Sequence, residues 1–562
     1  MIYNSRLRFV FALRLLLLIT AILSAPTLFA GNTSLLAGAT NELSLRDFIR
    51  LVILRNESLH ARVLEYEINH QRFRAERGIF EPELVLSYDR AENKRENTAE
   101  QRRSTGVLVF DEQNNIYNAG LEALVPTGAK IRLGYTLRDL RNNLQDPAFG
   151  TIVTNSPKGE FQTFAGLSVT QPLLKNAWYP ATLATMRLAA LGSEVAYHEY
   201  RRQMMIVISS AEATYWNLYL AQEQVGFFRD SVKLAQELAT DAEQRVRAGK
   251  AAEIDVLEAR AGLSLRQAKL IEAQQKYFET ASQLLSLMSQ ASLDAPPILR
   301  ALDEPGAVAQ IPAFAESGRA ALTLNPDYLA QTSRMKQEDI RVAYAKNQAL
   351  PQFDLRASYG LNGLGADPYE SFDDVQAGSF PSFSVGAELH IPLAGNIKAS
   401  RERDAAKLRK EQALVTLKET ETQILNAVDT ALRKVRHSYE AVTNNENVVL
   451  FNQSLLDTER ARLNAGTVPS RRVLEVDASL FEAKNSVVEA KVFSERARLE
   501  LELVQGTLLR TRNVDMPQKE LERRTTELLN QLGISEAHYR SLAKELQMKY
   551  ESPVNKSSLT PK

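Results

Sequence analysis

Residues 171–200, QPLLKNAWYPATLATMRLAALGSEVAYHEY, and residues 245–263, RVRAGKAAEIDVLEARAGL, bracket the stretch that decides the fold. A short alternating strand ends at Pro172, and from Ala181 to Val246 there is no proline and only Gly192 and Gly226. The pattern predicts an almost unbroken helix of about 65 residues, roughly 98 Å long, far beyond the length of a globular helix. In its distal half Phe228, Val232, Ala235, Ala239, Ala242 and Val246 recur at steps of four and three, a stripe suited to knobs-into-holes packing. The helix stops at Arg245-Val246-Arg247-Ala248-Gly249, where glycine supplies a left-handed closing residue and basic side chains face the negative end of the dipole. A second helix starts near Ala252, and Ile254, Leu257, Ala261, Ser264, Ala268 and Ile271 are its expected seam against the first. The unit is an antiparallel hairpin, a device shared by adaptors, scaffolds and tethers.

The same turn occurs again downstream. Arg245, Gly249, Leu257, Glu258, Ala261 and Leu263 match Arg462, Gly466, Leu474, Glu475, Ala478 and Leu480 at a constant spacing of 217 residues. Pro172-Leu173 with Asn176 matches Pro392-Leu393 with Asn396 at 220, and Asn56 with Pro82 matches Asn325 with Pro351 at 269. This order predicts an internal two-fold duplication. The fall from 269 to 220 means that the first half carries 49 extra residues, all in strand-like sequence. There Tyr117, Ala119, Leu121, Ala123 and Val125 alternate, Pro126-Thr127-Gly128 turns, and Ile131, Leu133, Tyr135 and Leu137 resume, which reads as a hairpin. A further short strand is expected around Val107 and Val109.

Other runs alternate in the same way. Leu84, Leu86 and Tyr88, then Ala165, Leu167 and Val169, lie in the first half; Phe353, Leu355, Ala357 and Tyr359, then Phe383, Val385, Ala387, Leu389 and Ile391, lie in the second. Runs of about 8 to 11 residues match the length a tilted strand needs to cross hydrocarbon. A soluble sheet with one buried face alternates equally well, but no other segment is expected to cover these faces. Two or three strand pairs cannot close a pore-sized barrel, so several subunits must share one.

The amino terminus has Arg6, Arg8 and Arg14 around an apolar run from Leu15 to Leu23 and ends in Leu28-Phe29-Ala30, the features of a secretory signal peptide over 1–30. The roughly 530 residues that follow would by length alone suggest several globular domains. With 25 Gly and 20 Pro in clusters, long continuous elements are favoured instead. There is no cysteine, so no disulfide, thiolate metal site or lipid-bearing cysteine exists. Lys+Arg and Asp+Glu are both 68, which leaves no basic footprint for nucleic acid. Six scattered histidines and the lack of a glycine-rich phosphate loop argue against an enzyme, and no cofactor or metal is expected.

These residues resemble the TolC-like outer-membrane efflux protein family over about 43–510. The likeness rests on Leu54…Asn56-Glu57-Ser58-Leu59 and Leu322…Asn325-Pro326-Asp327…Leu329, on the joints Gln171-Pro172-Leu173 and Ile391-Pro392-Leu393, and on the two Arg…Ala-Gly…Val-Leu-Glu turns. The resemblance implies a mixed α and β membrane protein in the outer membrane, a homotrimer with a shared transmembrane β-barrel continued by a long periplasmic α-helical barrel. It implies an outer-membrane channel of a tripartite efflux or type I secretion system, working with a periplasmic adaptor and an inner-membrane transporter. By motif match, adaptor contacts fall on Arg245, Gly249, Arg462 and Gly466. A periplasmic constriction falls on Asp255, Glu258, Arg472 and Glu475, with Arg472 standing where the family has an acid. The expected organisation is a first repeat over 31–290 with strands at about 82–172, an irregular equatorial connection over 291–324, and a second repeat over 325–510 with strands at about 351–392. An amphipathic extension and disordered tail over 511–562 are expected to follow. A soluble periplasmic coiled-coil adaptor or scaffold is the competing reading, though such a protein needs one hairpin rather than two.

Overall fold

A computed structural model describes residues 41–143, 159–249, 252–288, 299–306, 311–393 and 395–523. The expected signal segment, the connection around Pro296 and Pro297, and the tail beyond 523 lie outside the described residues. In chain order the elements are β1 (Asn41–Leu43), α1 (Leu45–Arg55), α2 (Glu57–Arg77), β2 (Glu83–Glu96), α3 (Ala99–Thr105), β3 (Val109–Leu124), β4 (Lys130–Asn142) and β5 (Glu160–Pro172). Next come α4 (Trp178–Thr182), α5 (Ala184–Arg247), α6 (Glu253–Leu287), β6 (Leu299–Ala301), α7 (Phe314–Leu324), α8 (Pro326–Gln348) and β7 (Gln352–Gly365). The last are α9 (Pro368–Ala377), β8 (Phe380–His390), α10 (Ile397–Asn464), α11 (Ser470–Gln505) and α12 (Leu508–Thr511).

Two compact units emerge. One gathers the described residues of 1–55, 210–308 and 439–495, the other those of 56–209, 309–438 and 496–562. Their boundaries fall inside α5, α10 and α11.

The first unit holds the glycine turns and a two-stranded parallel sheet, β1 with β6. This small sheet, absent from the sequence reading, is organised by Tyr215. Its hydroxyl donates to Asp303 Oδ2 at 2.8 Å and to the Leu43 carbonyl at 3.0 Å, and it accepts from the amides of Leu302 and Asp303. Burial pushes the phenol above its ordinary range, as desolvation of a phenolate requires.

The second unit holds one six-stranded sheet of order β2-β3-β4-β5-β7-β8, antiparallel throughout. Its two faces separate by period two. Leu84, Leu121, Leu133, Leu167, Tyr359 and Phe383 stand opposite one another across all six strands, and Leu86, Ala119, Tyr135, Ala165, Leu361 and Pro381 form the next row. The other face carries Glu83, Glu122, Arg132, Ser168, Ser358 and Ser384, with an adjoining glycine row of Gly120, Gly134, Gly166 and Gly360. The Phe164 ring lies across Gly166 and Gly360, where any Cβ would overlap it.

Several expectations are corrected. The segment at Val109 is not a separate strand but the start of β3, which runs 16 residues to Leu124. The helix expected from Leu45 to Gly78 breaks at Asn56, whose side chain accepts the Leu59 amide at 3.2 Å and caps α2. Asn325 caps α8 in the same manner. The apolar face of the sheet is not wholly uncovered: α9 lies over Gly363 and Gly365, with Thr163 and Ser371 hydroxyls 2.7 Å apart beneath it. Only glycine permits that approach, because the Ser371 backbone occupies the place of a Gly363 Cβ.

Candidate functional site

Both helical turns close as their sequences require. Gly249 and Gly466 adopt φ of 70° and 71°, donate to the Val246 and Leu463 carbonyls at 2.9 Å, and would find open space around an added Cβ. The second turn continues with the Thr467 amide donating to the Arg462 carbonyl at 3.0 Å, the backbone pairing of a Schellman closure.

The two turn arginines are not equivalent. Arg245 is half-buried, pairs with Asp241 at 2.8 Å and donates to the Leu463 carbonyl at 3.2 Å, so it ties the end of α5 to the end of α10. Arg462 is exposed and pairs within its own helix, to Glu459 at 3.0 Å. The four constriction candidates also differ. Asp255 accepts the Ala252 amide at 3.1 Å and so serves the start of α6. Glu475 is fully exposed and is held by Arg471 at 3.0 Å and Arg472 at 3.4 Å. The Arg471 hydrogen bond, seconded by that from Arg472, keeps its carboxyl below the usual range. Arg472 also reaches buried Glu459 at 3.9 Å, and Arg471 reaches Glu258 at 3.9 Å. The structure therefore gathers Glu258, Arg472 and Glu475 in one network, while Asp255 acts locally.

Arg471 was missed in the sequence, although its spacing of four from Glu475 carries the signal. A buried cluster was missed as well. Arg266 of α6 donates to Ser231 of α5 at 3.0 Å and to the Leu474 carbonyl of α11 at 2.9 Å, and it faces Asp477 of α11 at 3.5 Å. Ser231 donates to Asp477 at 2.8 Å. One charge set inside the apolar spacing of Val473, Val476 and Leu480 marks Asp477 out. The core around this cluster joins Ala235 and Leu238 of α5, Leu456 and Leu463 of α10, and Val473, Leu474, Val476 and Leu480 of α11.

The expected stripe on α5 is buried or half-buried, with Ala239 and Ala242 packed on Ala259 and Val256. The expected seam of the return helix is overturned: Ile254, Leu257, Ala261, Ser264, Ala268 and Ile271 are all exposed. The face bearing Ala259, Leu263 and Ala273 turns inward instead. Small residues decide this, since Gly262 lets Leu474 come within 3.1 Å of the position of its missing Cβ. A second apolar stripe, Val448, Leu450, Phe451 and Leu455 of α10, is exposed in the same unit.

A chain whose strands carry one apolar and one polar face, and whose helices form two long hairpins, has the fold of the outer-membrane channels. Solved structures share it. CusC gives a TM-score of 0.55 at 14% identity, covering 84% of this chain and 95% of that one. CmeC of Campylobacter jejuni gives 0.55 at 16% over 86% and 88%, and the open state of MtrE of Neisseria gonorrhoeae gives 0.56 at 16% over 82% and 88%. No curated protein matches significantly by sequence. The profile of the outer membrane efflux proteins matches residues 140–290 and 318–507, and the chain belongs to that family. It is an outer-membrane efflux channel protein, not an enzyme. Among the described residues no helix is long and apolar enough to cross a membrane.

Proposed function

We propose that three copies of this chain close one β-barrel in the outer membrane and one helical tube through the periplasm, forming the passive exit duct of a tripartite efflux or type I secretion system. The observation that carries this reading is the sheet, whose in-register apolar rows are exposed and whose end strands β2 and β8 each leave one edge unpaired within the chain. A hydrocarbon layer leaves no water to satisfy such edges, so they must meet other strands. The exposed apolar stripes on α6 and α10 support the same assembly, since each offers a rod edge to a neighbour.

In this reading the chain is an internal duplication whose turns meet a periplasmic adaptor through Arg245, Gly249, Arg462 and Gly466, with an inner-membrane transporter behind it. Glu258, Arg472 and Glu475 line the constriction, and Asp255 shapes the turn beside it. Native mass spectrometry of detergent-extracted protein is expected to give three subunits. Gly249→Trp with Gly466→Trp is expected to abolish adaptor co-purification while the trimer mass persists. A monomer would refute the assembly, and full adaptor recovery would refute docking at the turns.

A further inference from the structure

We propose that the inserted hairpin is part of the channel wall, so that each subunit contributes six strands and the barrel holds eighteen; this rests on the trimeric reading above. The alternative is a twelve-stranded wall in which β2 pairs with β5 and the β3–β4 hairpin lies elsewhere.

Three observations favour the larger wall. First, the hairpin is inserted between β2 and β5 rather than attached at one side. It is held by 14 pairs to β2 and by 11 to β5, and its removal would break both ladders where lipid offers no substitute partner. Second, the leucine row passes through the insertion without interruption, with Leu121 and Leu133 between Leu84 and Leu167. Third, the opposite face repeats the argument. Gly120 and Gly134 of the insertion align with Gly166 and Gly360 of the strands common to both halves. Arg132 lies over the first two glycines, and Phe164 covers the last two. A hairpin with a separate role has no reason to share both rows.

Closure is also consistent in direction. β2 and β8 run oppositely within the alternating sheet, so β8 of one copy meets β2 of the next antiparallel. Diameter grows roughly linearly with strand number, so the bore is about 1.5 times that of a twelve-stranded wall, in the range where barrels enclose an aqueous channel. Size selection would then fall to the helical end.

The absence of native cysteine makes the test clean. Three double variants share one row: Leu86→Cys with Ala119→Cys, Tyr135→Cys with Ala165→Cys, and Leu86→Cys with Ala165→Cys. Under mild oxidation of outer-membrane preparations the first two pairs are expected to form disulfides and the third is not. Electron cryomicroscopy of the unmodified protein, which depends on no variant, is expected to show eighteen strands. A disulfide in the third variant, or twelve strands, would overturn the proposal. Formation of the first two disulfides in a protein that migrates as a monomer on native gels would instead refute the trimer, and the eighteen-stranded wall with it.

Discussion

The two hairpins of the first unit use the same local sequence rules and end in different surroundings. Leu257 and Leu474 occupy matching positions 217 residues apart, yet Leu257 is 60% exposed and Leu474 is 9% exposed. Arg260 and Asp477 stand at the same spacing. The first is an exposed partner of Glu243 at 2.7 Å, the second a buried partner of Arg266. α11 is packed by α5, α6 and α10, whereas α6 keeps one apolar side free of any neighbour in the chain. A turn is specified by a few residues around a glycine, but the value of each side chain depends on which helix lies across from it. The first hairpin is therefore suited to the edge of an assembly and the second to its interior.

The largest expected effect separates the two leucines. Leu474→Ala should cost about 2–5 kcal/mol in equilibrium unfolding of the dissociated subunit, as loss of a buried leucine does. Leu257→Ala should cost within about 0.5 kcal/mol there and instead weaken subunit association; equal losses in the subunit would erase the contrast. Next in size, Asp477→Ala leaves Arg266 buried and should cost about 3–5 kcal/mol in the same measurement. Arg260→Ala, at an exposed pair, should cost no more than about 1 kcal/mol, and a large loss at Arg260 would show that the first hairpin is interior after all. The smallest effect concerns Glu475. Its folded carboxyl titrates below the ordinary value because Arg471, and after it Arg472, favour the charged form. The charge, and its contribution to stability, should thus persist as pH falls from 7 to 5 and be lost only at more acid pH, leaving ion selectivity in planar bilayers flat over that window. Glu475→Gln should free both arginines and move selectivity toward anions; a selectivity change between pH 7 and 5 in the unmodified channel would contradict the pairing.

Much of the fold was legible because it depends on backbone chemistry near in sequence. Pro172 and Pro392 end strands, Gly249 and Gly466 turn helices, and Asn176 and Asn396 take the left-handed conformation at matching joints, with φ of 63° and 50°. The hairpin around Pro126-Thr127-Gly128 was equally plain, since Gly128 donates back to Val125 at 2.7 Å. What could not be read depends on partners distant in sequence. α6 bears apolar residues on two faces, and only Leu474, more than 200 residues away, decides which one turns inward. The same holds for Tyr215, whose partners Leu43 and Asp303 become neighbours only once β1 and β6 have paired. Among the turn residues the glycines were predictable, but the neutralisation of Glu475 by Arg471 was not, because attention rested on Arg472.

The Phe164 ring that spans Gly166 and Gly360 fastens β5 to β7, the join between strands from opposite ends of the sequence. A slip of one position there would set a side chain where the ring must lie, so the join is keyed by shape. Whole hairpins can then be added ahead of that lock, in steps of two strands, with nothing behind it needing to change. The girth of the wall becomes a heritable length, independent of the machinery at the other end of the chain.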